Sequence, residues 1–278
     1  MRELNIYCIA LDDRLVNKIK EINCIPVGLG NAITSDGWKR DNISNNISDK
    51  NKYYGELTFY YWLWKNELND LPDNTWLGFS QYRRHWSSSS VKPKNIDNLE
   101  SNILKKIPSE WSDYETILPE PMDLTHLKLM KLLKYGKIAL LNNPMALINK
   151  KKRNIKFNFD MMHGNGLLDK AIELLNDEDK VDFKNYTLKE TALCPANMFI
   201  CRSKRKMDAF YSTLFSWLAK CEKAFGFDLE GYRKTRIYAF LSERFLPYWF
   251  KKNSNSLEWP IIFYDLRDDL KTQEKYEK

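Results

Sequence analysis

The chain has 278 residues, 43% of them hydrophobic and 29% charged, which supplies the core of one large domain and excludes a disordered chain. Its formal charge of +7 suits an acidic partner, but Lys and Arg are scattered in local runs such as 150–153 and 202–206, without the single aromatic-laced stripe of a nucleic-acid binder. The five cysteines, Cys8, Cys24, Cys194, Cys201 and Cys221, are odd in number and form no C-x-x-C pair, so neither a disulfide framework nor a zinc knuckle is indicated.

Residues 4–10 are rich in β-formers and predict a buried strand. No apolar core of a signal peptide precedes it, and no window approaches eighteen uninterrupted apolar residues, so the expected location is cytoplasmic, with peripheral contact at the inner face of the membrane as a further option. A helix is predicted near Arg14–Glu21, then a strand over Ile25–Gly30. That alternation opens an α/β domain. Gly28 and Gly30 give only G-x-G, too little for a dinucleotide fingerprint.

Residues 34–52 are polar and read as an ordered loop, with a flexible linker as the alternative, leading into an aromatic helix over Tyr53–Leu68, where Tyr54, Leu57, Tyr61, Trp64 and Leu68 recur at spacings of three and four. Pro72-Asp73-Asn74 ends it. A strand follows at Trp76–Ser80, then a serine run, Ser87–Pro93, that reads as a disordered tip: a lid over a ligand or an inert insertion. Tyr114–Pro119 predicts another strand. Mixed helical signals around Leu124–Tyr135 and a basic end at Lys150–Arg153 form a variable excursion from the core. Beyond it come a helix at Leu167–Leu175, a strand at Pro195–Ile200, helices at Met207–Glu222 and Thr235–Phe250, and a strand at Trp259–Tyr264. The expected division is a domain at 1–264 and a frayed, charged tail at 265–278.

Arg83 and Arg84 end the Trp76–Ser80 strand, where open α/β folds receive ligands, and guanidinium forks bind phosphate oxygens bidentately. Structural ion pairs to helix carboxylates are the alternative for them. Lys50 and Asn51 precede the aromatic helix, whose N-terminus favours anions; Asp49 there is a candidate base or a helix cap. His163, between Met162 and Gly164, reads as a loop residue able to approach a ligand or as a packing residue. Asp177-Glu178-Asp179 matches D-x-D, yet no apolar strand precedes it, and it is taken as a solvated loop.

Taken together, Asn46 to Asn51, Glu56-Leu57-Thr58, Tyr61 to Asn66 and Gly78-Phe79-Ser80-Gln81-Tyr82-Arg83-Arg84 resemble a domain-of-unknown-function family of bacterial capsular polysaccharide and O-antigen glycosyltransferases, galactofuranosyltransferase-like in part. The likeness resumes at His163, at Asn197 to Ile200, and at Arg236 with Phe240 to Arg244. Gln81 departs from the His that many members carry there. The resemblance implies a single GT-A-like α/β domain, a mixed and mostly parallel sheet flanked by helices with a helical C-terminal part. It also implies transfer of a sugar, a hexose with a galactofuranose-type sugar among the options, from a nucleoside diphosphate donor, expected to be a UDP-sugar, to a glycan or lipid-linked glycan of capsule or lipopolysaccharide. Alternatives are a phosphate-ester transferase or hydrolase and a non-catalytic glycan-binding protein.

On this reading Asp49, Glu56 and His163 are the catalytic candidates, and Asn46, Ser48, Lys50, Asn51, Tyr82, Arg83, Arg84, Asn197, Arg236 and Glu243 bind the donor. No metal is required, because arginines stand where a cation's acidic ligands would; if Mg²⁺ or Mn²⁺ is used, Asp41, Asp49 and His163 are the candidate ligands.

Overall fold

The structure, a computed structural model, describes residues 3–33, 35–73, 75–93, 99–126, 132 and 136–268. Strand β1 (Leu4–Ala10) sends Tyr7 and Ile9 into one hydrophobic layer and Ile6, Cys8 and Ala10 into the other. Apolar residues at both phases of the two-residue period are what a strand covered on both faces requires. β1 accordingly lies in the interior of the sheet.

On one side of β1 lie β2 (Ile25–Gly28) and then β3 (Lys39–Arg40); on the other lies β4 (Trp76–Gln81), and all are parallel. The sheet continues through β9 (Ile200–Cys201), β6 (Thr116–Pro119) and β10 (Ser256–Trp259), with β9 antiparallel to both its neighbours. β5 (Arg84–Trp86) turns back on β4 and pairs with β11 (Ile261–Phe263). A small separate ladder joins β7 (Met122–Asp123) to β8 (Ala192–Leu193). The sheet is thus mixed and mostly parallel, flanked by helices, with the long helices Lys204–Phe225 and Ile237–Asn253 in the C-terminal part.

Several elements differ from expectation for identifiable reasons. The aromatic helix is broken at Gly55 (φ +56°) into Asn51–Tyr54 and Leu57–Asn66. The late strand is split by Pro260, which has no N–H for a ladder. Residues 195–199 are not strand: Ala196 (φ +71°) and Asn197 (φ +53°) make a left-handed turn before β9. Asp177–Asp179 is the first turn of a helix, Asp177–Lys189, capped by Asn176. In the serine run, Ser87 is buried and tied to Pro260 and Trp259, so the first of these residues closes the sheet edge. Most of the expected Leu124–Tyr135 helix lies outside the described residues. Packing continues past Tyr264: Leu266 is buried, and its N–H bonds Tyr82 O.

Candidate active site

The chain leaves β1 for β2 and β3 on one side and returns to β4 on the other, so strand order reverses at β1. A crevice forms at the C-terminal ends of strands at such a point. Because β9 runs the other way, its approach, Ala196-Asn197, reaches this same edge, and Gln81 Nε2 donates to Ala196 O at 3.3 Å. A cleft of about 280 Å³ opens there, walled by the ends of β1 and β4, the Ala196-Asn197 turn and the start of the Ile237–Asn253 helix.

The floor of the cleft is built from two carboxylate networks. Glu56, just before the Leu57–Asn66 helix, accepts from Arg236 Nη2 at 3.0 Å and from Asn197 Nδ2 at 2.7 Å. Asn197 is itself fixed: its Nδ2 also reaches Ala239 O at 3.0 Å, and its carbonyl accepts from Tyr60 Oη at 2.8 Å. Gly55 makes room for the pair, since a Cβ there would overlap the Arg236 guanidinium. The left-handed Ala196 and Asn197 are costly backbone states that persist only where surroundings hold them, and here they place a backbone N–H and a side-chain amide against two glutamates.

The second network starts at Glu243, which accepts from Ala196 N at 2.7 Å and from Arg244 Nη1. Arg244 is buried. Its Nη2 reaches Asn158 Oδ1 at 3.2 Å and His163 Nε2 at 3.3 Å. With an arginine facing Nε2, His163 is the neutral tautomer that donates from Nδ1 to Arg233 O at 3.0 Å. Burial, then the Arg244 charge, drives the His163 pKa down to about 2. The ring stacks on Phe240, centroids 3.9 Å apart, one layer behind the cleft wall. His163 ends the Ile155–His163 helix rather than sitting in a loop, and it props Arg244 instead of facing the cleft.

The rim is different in kind. Tyr82 and Arg83 form the turn between β4 and β5, so Arg83 tops the turn and Arg84 begins the return strand. Arg84 Nη1 donates to the neutral Gln81 at 3.0 Å and lies over Phe263; Arg83 lies over the Tyr82 ring at 5.0 Å. Among the described residues neither guanidinium has a carboxylate partner within ion-pair distance. The alternative of structural ion pairs to helix carboxylates is therefore not formed among the described residues. Backbone bonds from Tyr264 N to Arg83 O and Leu266 N to Tyr82 O hold the turn.

Of the residues proposed from sequence, Glu56, Tyr82, Arg83, Arg84, Asn197, Arg236 and Glu243 line the cleft. The 46–51 loop does not. Asn46 Oδ1 accepts from Ser48 N and Oγ, Asn51 bonds Gly55 O and Thr58, and Lys50 pairs with Glu222 at 2.7 Å. Asp49 is exposed on the short 3-10 turn Ser48–Lys50. Asp41 is a buried lock, accepting from Gly30 N at 2.7 Å and from Thr58; burial pushes its pKa above the ordinary carboxylate range. Asp179, of the D-x-D match, is bound by Tyr248 Oη and Lys252. Gln81, Phe240 and Arg244 carry weight that sequence reasoning did not assign. The resemblance did pass through their positions.

The cleft's two carboxylates, Glu56 and Glu243, each already hold a guanidinium, so this donor set does not fit a divalent cation. Among the described residues no group of three His, Cys, Asp or Glu side chains is arranged to hold one.

Comparison with known proteins adds two matches. The sequence pattern of the domain of unknown function DUF4422 covers residues 6–254. Among solved structures, the bifunctional glycosyltransferase WbbM in its apo form is similar in fold, with a TM-score of 0.69 and 20% identity over 94% of this chain and 45% of that one. The chain thus spans less than half the length of that protein. No curated protein matches it.

Proposed function

Because the chain belongs to the DUF4422 family and shares a fold with a glycosyltransferase, we propose that it transfers a sugar from a nucleoside diphosphate donor to a glycan. The observation that carries this reading is the pair Arg83 and Arg84 at the strand-end crevice, two guanidiniums with no carboxylate within ion-pair distance among the described residues. A diphosphate is the anion that two adjacent forks suit. We take the donor to be a UDP-sugar, hexose or galactofuranose in type, and the acceptor to be a cytoplasmic capsule or lipopolysaccharide glycan, free or lipid-linked.

In this reaction the acceptor oxygen bonds the anomeric carbon while the carbon–oxygen bond to the diphosphate breaks and its electron pair leaves with the phosphate. Arg83 and Arg84 stabilise the charge that develops there. Glu56, oriented by Arg236 and Asn197, takes the hydroxyl proton. Since guanidiniums supply the countercharge and the cleft carboxylates are engaged, transfer proceeds without a divalent ion.

The test is a thermal-shift screen against nucleotides and nucleotide sugars, followed by transfer or slow donor hydrolysis. A selective shift with one nucleoside diphosphate series is expected. Glu56→Gln should then lower kcat by about 10²–10⁴ with donor binding retained. Loss of that magnitude in Glu243→Gln alone moves the proton to Glu243. Activity abolished by chelation and restored by Mn²⁺ removes the metal-independent mechanism, and absence of any nucleotide effect removes the transferase reading.

A further inference from the structure

Residues 124–153 contain eight Lys or Arg and no Asp or Glu; the remainder of the chain has 36 basic and 37 acidic residues, so this stretch holds the entire positive excess. Its described part is apolar on two sides. Inward, Ala139, Leu140 and Ala146 pack with Phe157 and Met161. Outward, Ile138, Leu141, Met145, Leu147 and Ile148 stand in solvent, Leu141 at 80% and Ile148 at 78% exposure. Five of the twelve exposed large apolar side chains among the described residues fall within these eleven positions, which makes them a patch rather than scatter.

The display is braced from within. Arg153 is buried and donates to three carbonyls: Nε to Ala146 at 2.8 Å, Nη1 to Thr125 at 2.7 Å and Nη2 to Leu147 at 3.1 Å. One guanidinium therefore fixes the Pro144–Leu147 turn that presents Met145 and Leu147. Lys150, Lys151 and Lys152 follow directly as an exposed 3-10 turn, and exposed Lys137 begins the Lys137–Asn142 helix. Aliphatic side chains are thus held outward with lysines at both ends.

We propose that this surface seats the protein on an anionic lipid bilayer, the aliphatic side chains entering the boundary between headgroups and acyl chains and the lysines meeting lipid phosphates. The charge decides among occupants. A second copy presenting the same face would bring like charges together. A nucleic acid would find aliphatic chains where stacking rings serve it. No helix among the described residues is long and apolar enough to cross a membrane, so the contact is peripheral. The proposal stands apart from the transferase reading.

Co-sedimentation of the full chain with vesicles tests it, phosphatidylglycerol mixed with phosphatidylcholine against phosphatidylcholine alone. The expected result is binding to the anionic vesicles that weakens at least ~10-fold from 50 mM to 500 mM NaCl. Replacing Lys150, Lys151 and Lys152 together by Ala should lower the partition coefficient on the order of 100-fold. The double variant Leu141→Asp, Ile148→Asp should lose binding with an unchanged melting curve, since both side chains are exposed. No binding by the unaltered chain, or equal binding by both variants, overturns the proposal. A dimer in solution that Leu141→Asp dissociates, with no vesicle binding, assigns the face to a second copy instead.

Discussion

The arginines of the cleft and its supporting network, Arg83, Arg84, Arg236 and the buried Arg244, divide into two kinds. Arg236 and Arg244 form the floor and each grips a glutamate; Arg83 and Arg84 form the rim against Tyr82, Gln81 and Phe263, with Asp265 close enough to feel the Arg83 charge but outside ion-pair distance. A positive charge already neutralised inside the protein shapes the site, while one left over is available to a ligand. Lys50, held by Glu222, belongs with the first kind, although its place before a helix looks as inviting as that of Arg83.

The floor should break hardest. Arg244→Ala removes the buried partner of Glu243, a carboxylate that is part-exposed in the cleft and keeps its bond from Ala196 N, so the expected loss is about 3 kcal/mol of stability in urea denaturation, the low end for such pairs. A loss under about 1 kcal/mol would show that the floor is not held by charge. At the rim the pattern inverts: Arg83→Ala or Arg84→Ala should cost roughly 1.5–3 kcal/mol of nucleoside diphosphate affinity by calorimetry while leaving the melting curve nearly unchanged. Full affinity in both variants would take the arginines out of the site.

Acid separates the two regions without mutation. The folded-state pKa of His163, about 2, lies below the ordinary 6.5, so unfolding takes up a proton at intermediate pH. Its contribution is complete above pH 6.5 and declines as pH falls toward 2. By pH 5 the loss is about 2 kcal/mol, and His163→Gln should flatten that part of the stability profile. Buried His85, with a pKa lowered to about 4, adds a similar slope that the variant keeps. The smallest effect is expected at the loop, where Lys50→Ala should change stability by about 0.2–1 kcal/mol and leave nucleotide affinity alone. A loss of affinity as large as that of Arg83→Ala would return the 46–51 loop to the donor site.

The strands nearest the cleft were legible because each is a run of β-formers buried on both faces, as in Leu4–Ala10 and Trp76–Gln81. The Asp177–Lys189 helix was not legible, since its charged sequence has little apolar stripe; Asn176 caps it, and Tyr248 with Lys252 anchors Asp179 from another element. No local rule places Ala196 and Asn197 in left-handed backbone, a state imposed by Glu243, Glu56 and Tyr60 from distant parts of the chain. For the site, strand-end reasoning reached Arg83 and Arg84. Glu56, Asn197, Arg236 and Glu243 share no periodicity, and only the family resemblance linked them. Exposure of Asp49 and burial of His163 are set by tertiary packing, which residue type does not report.

The Tyr82-Arg83 turn is held by Tyr264 and Leu266, and β5 takes its second neighbour from residues 261–263. During synthesis on the ribosome the arginine pair therefore emerges about 180 residues before the segment that steadies it. A nascent chain lacking that segment carries both guanidiniums on an unsupported hairpin edge, open to unintended strand pairing until the last strands arrive.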